Sequence, residues 1–88
     1  MVILVARETC SYSRKFIPKI HKVALDHNLK IYFIHDYDFR YRDEIMMFRE
    51  KYYMPTVPSL LYSNQNRVDT VSDSSLSETE IAAFIESK

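Results

Sequence analysis

One cysteine in this chain stands where a thiol could be chemically active. Cys10 is the only cysteine among the 88 residues, and it follows the apolar run at residues 2–5. The residues after it have apolar positions at helical spacing, so the pattern places Cys10 at a helix N-terminus. Unpaired backbone N–H groups and the helix dipole stabilise a thiolate there. Since the thiolate is the form that attacks disulfides, Cys10 is the first candidate for chemistry.

The residues around Cys10 indicate what that chemistry would be. Ser13 lies one helical turn further on, and its hydroxyl could donate a hydrogen bond to the thiolate and lower the pKa of Cys10. Arg7 and Arg14 could add positive charge nearby. Tyr12 is expected to line a substrate groove beside the thiol. A hydroxyl does not attack disulfides, so a second thiol must come from another molecule. The plainer alternative is an inert, buried cysteine.

Composition limits the kinds of partner that the chain can have. Eighty-eight residues, 47% of them hydrophobic, predict one domain spanning residues 1–88. The formal net charge of +0 argues against nucleic acid or an anionic membrane as a partner. No apolar run approaches the roughly 20 residues of a membrane span. We therefore expect a monomer that binds neither nucleic acid nor membrane.

Cysteine and glycine usage add two expectations. The N-terminus lacks the pattern of a signal peptide, and one cysteine cannot form an internal disulfide, so we expect a cytoplasmic protein. A mature form without its leader would look the same. The chain has no glycine, which excludes Gly-rich phosphate loops. Tight turns must then use the residues that best tolerate left-handed geometry, which are Asn28, Asn64, Asn66, Asp73 and Ser74. No metal-ligand spacing surrounds Cys10.

The apolar patterns predict an α/β fold with the order β-α-β-α-β-β-α. Strands are expected at residues 2–5, 30–34, 59–62 and 67–71. The predicted helices run from Cys10 to about His27 with Pro18 inside, through Tyr41, Ile45, Phe48 and Tyr52, and after a capping box of Ser77 and Glu80. Asp36 and Asp38 could cap the second helix. We expect a four-stranded mixed sheet flanked by three helices, its first three strands parallel and the last an antiparallel edge.

This arrangement resembles the thioredoxin superfamily over most of the chain. Cys10 stands where the family carries Cys-x-x-Cys, and Pro18 matches the proline that kinks the first helix. Val57-Pro58 before the third strand is similar to the family's cis-proline, which lies beside the reactive sulfur. The pair Ser11-Tyr12 is closer to glutaredoxins, which often have Pro-Tyr there.

The departures from the family pattern define the predicted site. Ser13 takes the place of the resolving cysteine, Thr9 that of a tryptophan, and Leu4 that of a buried acid. The glutathione-holding glycines and acid of glutaredoxins have no clear counterpart near residues 71–74. The resemblance implies a thioredoxin-like fold with catalytic Cys10, Ser13 and Pro58. Around them we expect substrate-binding Tyr12, Val57 and Arg14, and no metal.

Several functions remain open at this point. The first is thiol–disulfide exchange through Cys10 alone, with protein or small-molecule disulfides and thiols as partners and no cofactor except glutathione or another small thiol. The second is a thioredoxin-like binding protein without turnover, similar to bacteriocin-transport accessory proteins. The third is a Cys-to-Ser variant at position 13 that traps the mixed disulfide of a dithiol enzyme. An iron–sulfur role would resemble monothiol glutaredoxins, but their Cys-Gly-Phe-Ser motif is absent.

Overall fold

Strands and helices alternate along the first part of the chain and end in a hairpin and a final helix. The computed structural model describes residues 1–36 and 38–86. Its strands are β1 Val2–Ala6, β2 Ile31–His35, β3 Ser59–Ser63 and β4 Val68–Val71. Its α-helices are α1 Ser11–Asp26, α2 Arg42–Lys51 and α3 Glu78–Glu86, with a short 3₁₀ helix, Phe39–Tyr41, before α2. The predicted element order is therefore confirmed, as are the four-stranded mixed sheet and the three helices.

The strands form one sheet in the order β2-β1-β3-β4. β1 pairs in parallel with β2, with Val2 opposite Ile31. β3 runs antiparallel to β1, with Val5 opposite Ser59, and β4 runs antiparallel to β3. The prediction that the first three strands are all parallel is thus wrong for β3.

The position of α2 explains the direction of β3. Near the end of α2, the Arg49 guanidinium lies 3.0 Å from the carboxylate of Asp36, the residue that follows β2. The chain therefore leaves α2 near the carboxyl ends of β1 and β2. Because β3 starts at that end of the sheet, it runs in the opposite direction to β1 and β2.

Helices cover both faces of the sheet, as the alternation of side chains along β1 requires. Leu4 and its neighbours on one face join a core with buried side chains of α1 and α3, among them Phe16 and Ile81. Val5 on the other face packs against Met54, with Phe48 of α2 beside them. The apolar run of β1 is therefore the central strand of two small cores.

Two helices end in the same motif without glycine. At the end of α1, Leu29 N–H donates to Ala24 C=O at 2.8 Å, and Asn28 has φ 53°. At the end of α2, Met54 N–H donates to Arg49 C=O at 2.8 Å, and Tyr53 has φ 55°. Both are Schellman motifs, in which glycine normally takes the left-handed position. Asn28 was predicted there, whereas a tyrosine in left-handed geometry was not.

Replacing Tyr53 by glycine should therefore stabilise the protein. The side chain is 85% exposed, so little packing is lost. Left-handed geometry costs a non-glycine residue about 1–2 kcal/mol, which glycine avoids. Glycine also gives the unfolded chain more conformational freedom, and this offsets about 0.5–1 kcal/mol of the stabilisation. We expect Tyr53→Gly to raise the free energy of unfolding by about 0.5–1 kcal/mol, measured by urea denaturation. Tyr53→Ala is the control, because it removes the ring but keeps the Cβ. An equal gain from alanine would show that the backbone is not the cause.

Predictions that depend on neighbouring residues are confirmed, whereas several side chains of the second helix are exposed. Ser77 and Glu80 form the predicted capping box, with both hydrogen bonds at 3.1 Å. Asp38 caps the 3₁₀ helix through Arg40 N–H. Tyr41, one of the positions at helical spacing that predicted the second helix, is exposed. Met46 and Met47 are also exposed, because α2 buries only a narrow stripe around Ile45.

Candidate functional site

Cys10 lies at the helix start that the sequence predicts. It is the N-cap residue of α1, with extended backbone geometry (φ −86°, ψ 130°). Its carbonyl accepts the first helical hydrogen bond, from Arg14 N–H at 3.0 Å, and its own N–H donates to Arg7 C=O at 2.9 Å. The side chain is partly exposed and the thiol is free. The plainer alternative of a fully buried cysteine does not apply.

The surroundings of Cys10 favour its thiolate. The backbone N–H of Ser13 is the main cause of a lowered pKa, followed by the N–H of Tyr12. The Ser13 hydroxyl and the charge of Arg7 lower the pKa of Cys10 further, against a partial loss of solvation. These donors form no capping hydrogen bond of full geometry to the sulfur. They act instead as dipoles that stabilise a negative charge more than a neutral thiol.

Ser13 is held in place by the loop that carries the cysteine. Its side chain is buried, and its oxygen accepts a hydrogen bond from Arg7 N–H at 3.1 Å. The same hydroxyl also contributes, as a hydrogen-bond donor, to the lowered pKa of Cys10. The serine thus has a structural role besides its effect on the thiol. Arg14, predicted to help bind substrate, lies on the exposed side of α1.

A groove of about 330 Å³ lies at the same end of the sheet. Tyr12 forms part of its lining and is 64% exposed. Val57 and Pro58 line it as well, and the peptide bond between them is cis, as predicted. Among the residues that line the groove within the described ranges, neither Cys10 nor Arg14 appears. Three of the predicted residues therefore share one groove, and the thiol lies two residues before Tyr12.

The loop of residues 72–74, which follows β4, also lines the groove, although the sequence did not predict it there. Ser72, Asp73 and Ser74 line the groove together with the Val57-Pro58 loop, and they lie beside it because the end of β4 pairs with the start of β3. The hydroxyls of Ser59 and Ser72 are 2.6 Å apart, and since Ser59 donates to Thr56 C=O, Ser72 donates to Ser59. This segment is the one that has no clear glutaredoxin counterpart in its sequence. The pairing of β4 with β3 nevertheless places it in the lining of the groove.

The loop of residues 72–74 and the residues after it are hydrogen-bonded to α1, the helix that begins at Cys10. Lys19 on α1 donates to Ser74 C=O at 2.9 Å and to Leu76 C=O at 2.6 Å. Hydrogen bonds from Ser75 hold the pKa of Asp73 below its ordinary value, so this carboxylate stays ionised. The groove therefore has an anionic side chain at one wall.

A charged cluster at this edge of the sheet was not predicted. Asp36 was expected to cap a helix, but its carboxylate instead pairs with two arginines, Arg7 and Arg49, each at 3.0 Å. The partners lie 29 and 13 residues away along the chain. No local pattern could have indicated this, because the three residues meet only when the sheet forms.

Comparisons with known proteins do not identify the chain. No protein-family model matches its sequence, and no curated protein is detectably similar to it. Within residues 1–36 and 38–86, no group of three or more histidine, cysteine or acidic side chains is placed to hold a metal ion. In the same ranges, no helix is long and apolar enough to cross a membrane.

Proposed function

We propose that the chain is a thioredoxin-like protein of the cytoplasm that exchanges thiols and disulfides through Cys10. The observation that carries this proposal is the position of Cys10 as the N-cap of a 16-residue helix, partly exposed and with a lowered pKa. A thiol in such surroundings is reactive, whereas structural cysteines are buried and inert.

The reaction would proceed through one protein thiol. The Cys10 thiolate attacks one sulfur of a partner disulfide, forms a mixed disulfide and releases the other sulfur as a thiolate. Ser13 cannot complete the cycle. A second thiol, such as glutathione, attacks the mixed disulfide, which returns Cys10 as a thiolate and leaves the partner joined to the incoming sulfur.

The groove supports an extended partner beside the thiol. Tyr12 offers an aromatic surface, and the Val57-Pro58 loop offers an edge to an extended peptide or to glutathione. The carboxylate of Asp73 would favour a partner with a positive group at that wall. Within residues 1–36 and 38–86, no contact of the Arg14 side chain assigns it a part in binding.

Binding without turnover is the second candidate. The observation that favours it is that Cys10 is not among the lining residues of the groove, so the groove does not depend on the thiol. The trapping variant finds less support, because the Ser13 oxygen already accepts the Arg7 N–H, a role that sulfur fills weakly. The gene's codon at position 13 decides that case.

Two measurements test the proposal. Alkylation of Cys10 by iodoacetamide, followed from pH 5 to 9, should have its midpoint below the value of about 8.5 for a free thiol. With glutathione present, the wild type should reduce a small mixed disulfide, and Cys10→Ser should not. A normal midpoint and no turnover would reject the exchange function. A low midpoint without turnover would favour the binding protein.

A further inference from the structure

Asp36 is connected to two of the loops at the candidate site, the turn that carries Cys10 and the loop before Pro58. Its backbone N–H donates to Ala6 C=O at 2.9 Å, which fixes it beside the end of β1. Its side chain is only 5% exposed. A carboxylate with so little solvent depends on its partners for hydrogen bonds, and here those partners are Arg7 and Arg49.

The first connection leads to the thiol. Asp36 Oδ2 accepts from Arg7 Nη2 at 3.0 Å. The backbone of Arg7 accepts from Cys10 N–H and donates to the Ser13 hydroxyl. Arg7 therefore holds the turn that positions the sulfur, and Asp36 holds the side chain of Arg7.

The second connection leads to the loop before Pro58. Asp36 Oδ1 accepts from Arg49 Nη1 at 3.0 Å. The other guanidinium nitrogens of Arg49 donate to Met54 C=O and Pro55 C=O, each at 3.1 Å. The planar guanidinium thus makes three contacts in fixed directions, which a lysine cannot reproduce.

We propose that Asp36 is a positioning residue that sets the Cys10 turn against the Val57-Pro58 loop through Arg7 and Arg49. This inference rests on the proposed exchange function, since the geometry matters for a disulfide that must reach both loops. The cluster has two cations and one anion. His35 and Glu8 adjoin it along the chain and face each other, with Nδ1 3.6 Å from Oε1.

The test separates docking from intrinsic thiol reactivity. The docking probe is a cysteine-containing tripeptide joined by a disulfide to thionitrobenzoate, whose release is coloured. The reference reagent is iodoacetamide, which needs no groove. Both rates are measured at a pH well above the pKa of Cys10, so that a change in this pKa affects neither.

Asp36→Asn should lower the rate with the tripeptide disulfide about tenfold to a hundredfold, the scale expected for misplaced reacting groups, and change the iodoacetamide rate little. Asp36→Glu should restore part of the lost rate. Arg49→Lys keeps the charge but loses the three-way contact, so it should act like Asp36→Asn in a milder form. It also serves if Asp36→Asn does not fold. Unchanged rate ratios in folded Asp36→Asn and Arg49→Lys would overturn the proposal, even if both variants melt at lower temperature.

Amide hydrogen–deuterium exchange tests this inference separately from the proposed thiol–disulfide chemistry. In both variants, backbone amides at residues 7–13 and at residues 53–58 should exchange their hydrogens faster than in the wild type, since the cluster joins the two segments. If the wild type does not react with the tripeptide disulfide, the proposed thiol–disulfide function fails, and the amide measurement still reports whether the two segments are coupled. Faster amide exchange in one segment only, in either variant, would show that the loops are held independently and would refute the inference.

Discussion

Ser13→Cys should convert the chain into a protein that reduces insulin without glutathione. The new thiol would lie one helical turn from Cys10 on the same side of α1. Cys10 opens the insulin disulfide and forms a mixed disulfide. The new thiol then attacks the Cys10 sulfur, which releases the second insulin thiol and leaves an internal disulfide for dithiothreitol to reduce. We expect a rate about tenfold or more above the wild type, because the wild type cannot complete the second step alone.

The surroundings of Ser13 define the controls for this experiment. Sulfur accepts hydrogen bonds weakly, so Arg7 N–H loses its partner, at a cost of about 1 kcal/mol. Ser13→Ala has the same loss without a thiol and should stay inactive. Adding Cys10→Ser to Ser13→Cys leaves one buried thiol and should also be inactive.

The insulin assay also separates the candidate functions. A wild type that becomes active when glutathione is supplied would be a monothiol enzyme. Inactivity of the wild type and of Ser13→Cys, with and without glutathione, would favour the binding protein. An active double variant lacking Cys10 would contradict the assignment of the attacking sulfur.

Truncation of Phe16 should cause the largest loss of stability. Its side chain is fully buried between α1, β1 and α3. Removing a buried phenylalanine ring costs about 3–5 kcal/mol. A domain of this size has only about 4–13 kcal/mol of stability, so Phe16→Ala should lose between a quarter of it and all of it. Because Phe16 lies one turn after Ser13, the loss should also loosen the helix start that carries Cys10.

An exposed phenylalanine provides the matched control. Phe39 is 84% exposed, so Phe39→Ala makes the same chemical change without opening a cavity. We expect it to alter the free energy of unfolding by less than about 0.5 kcal/mol. Urea denaturation followed by circular dichroism measures both variants. Equal losses for the two would mean that the core does not depend on Phe16. Phe16→Leu, which keeps most of the volume, should fall between them.

Local patterns in the sequence determined where the elements begin and end. The start of α1 at Cys10, the left-handed Asn28 and the capping box of Ser77 and Glu80 all depend on residues within about one helical turn. Such interactions form wherever the residue types and spacing are right. The cis geometry of Val57-Pro58 was also predicted, from the resemblance to thioredoxins rather than from local physics.

Only the tertiary structure decided what the elements face. The direction of β3, the pairing of Asp36 with two arginines, and the arrival of residues 72–74 at the groove depend on which edge of the sheet the chain reaches after each helix. Exposure of Tyr41 and Met46 depends likewise on how narrow a stripe of α2 the sheet can cover. Contacts across tens of residues arise from packing and chain closure, which no short sequence pattern encodes.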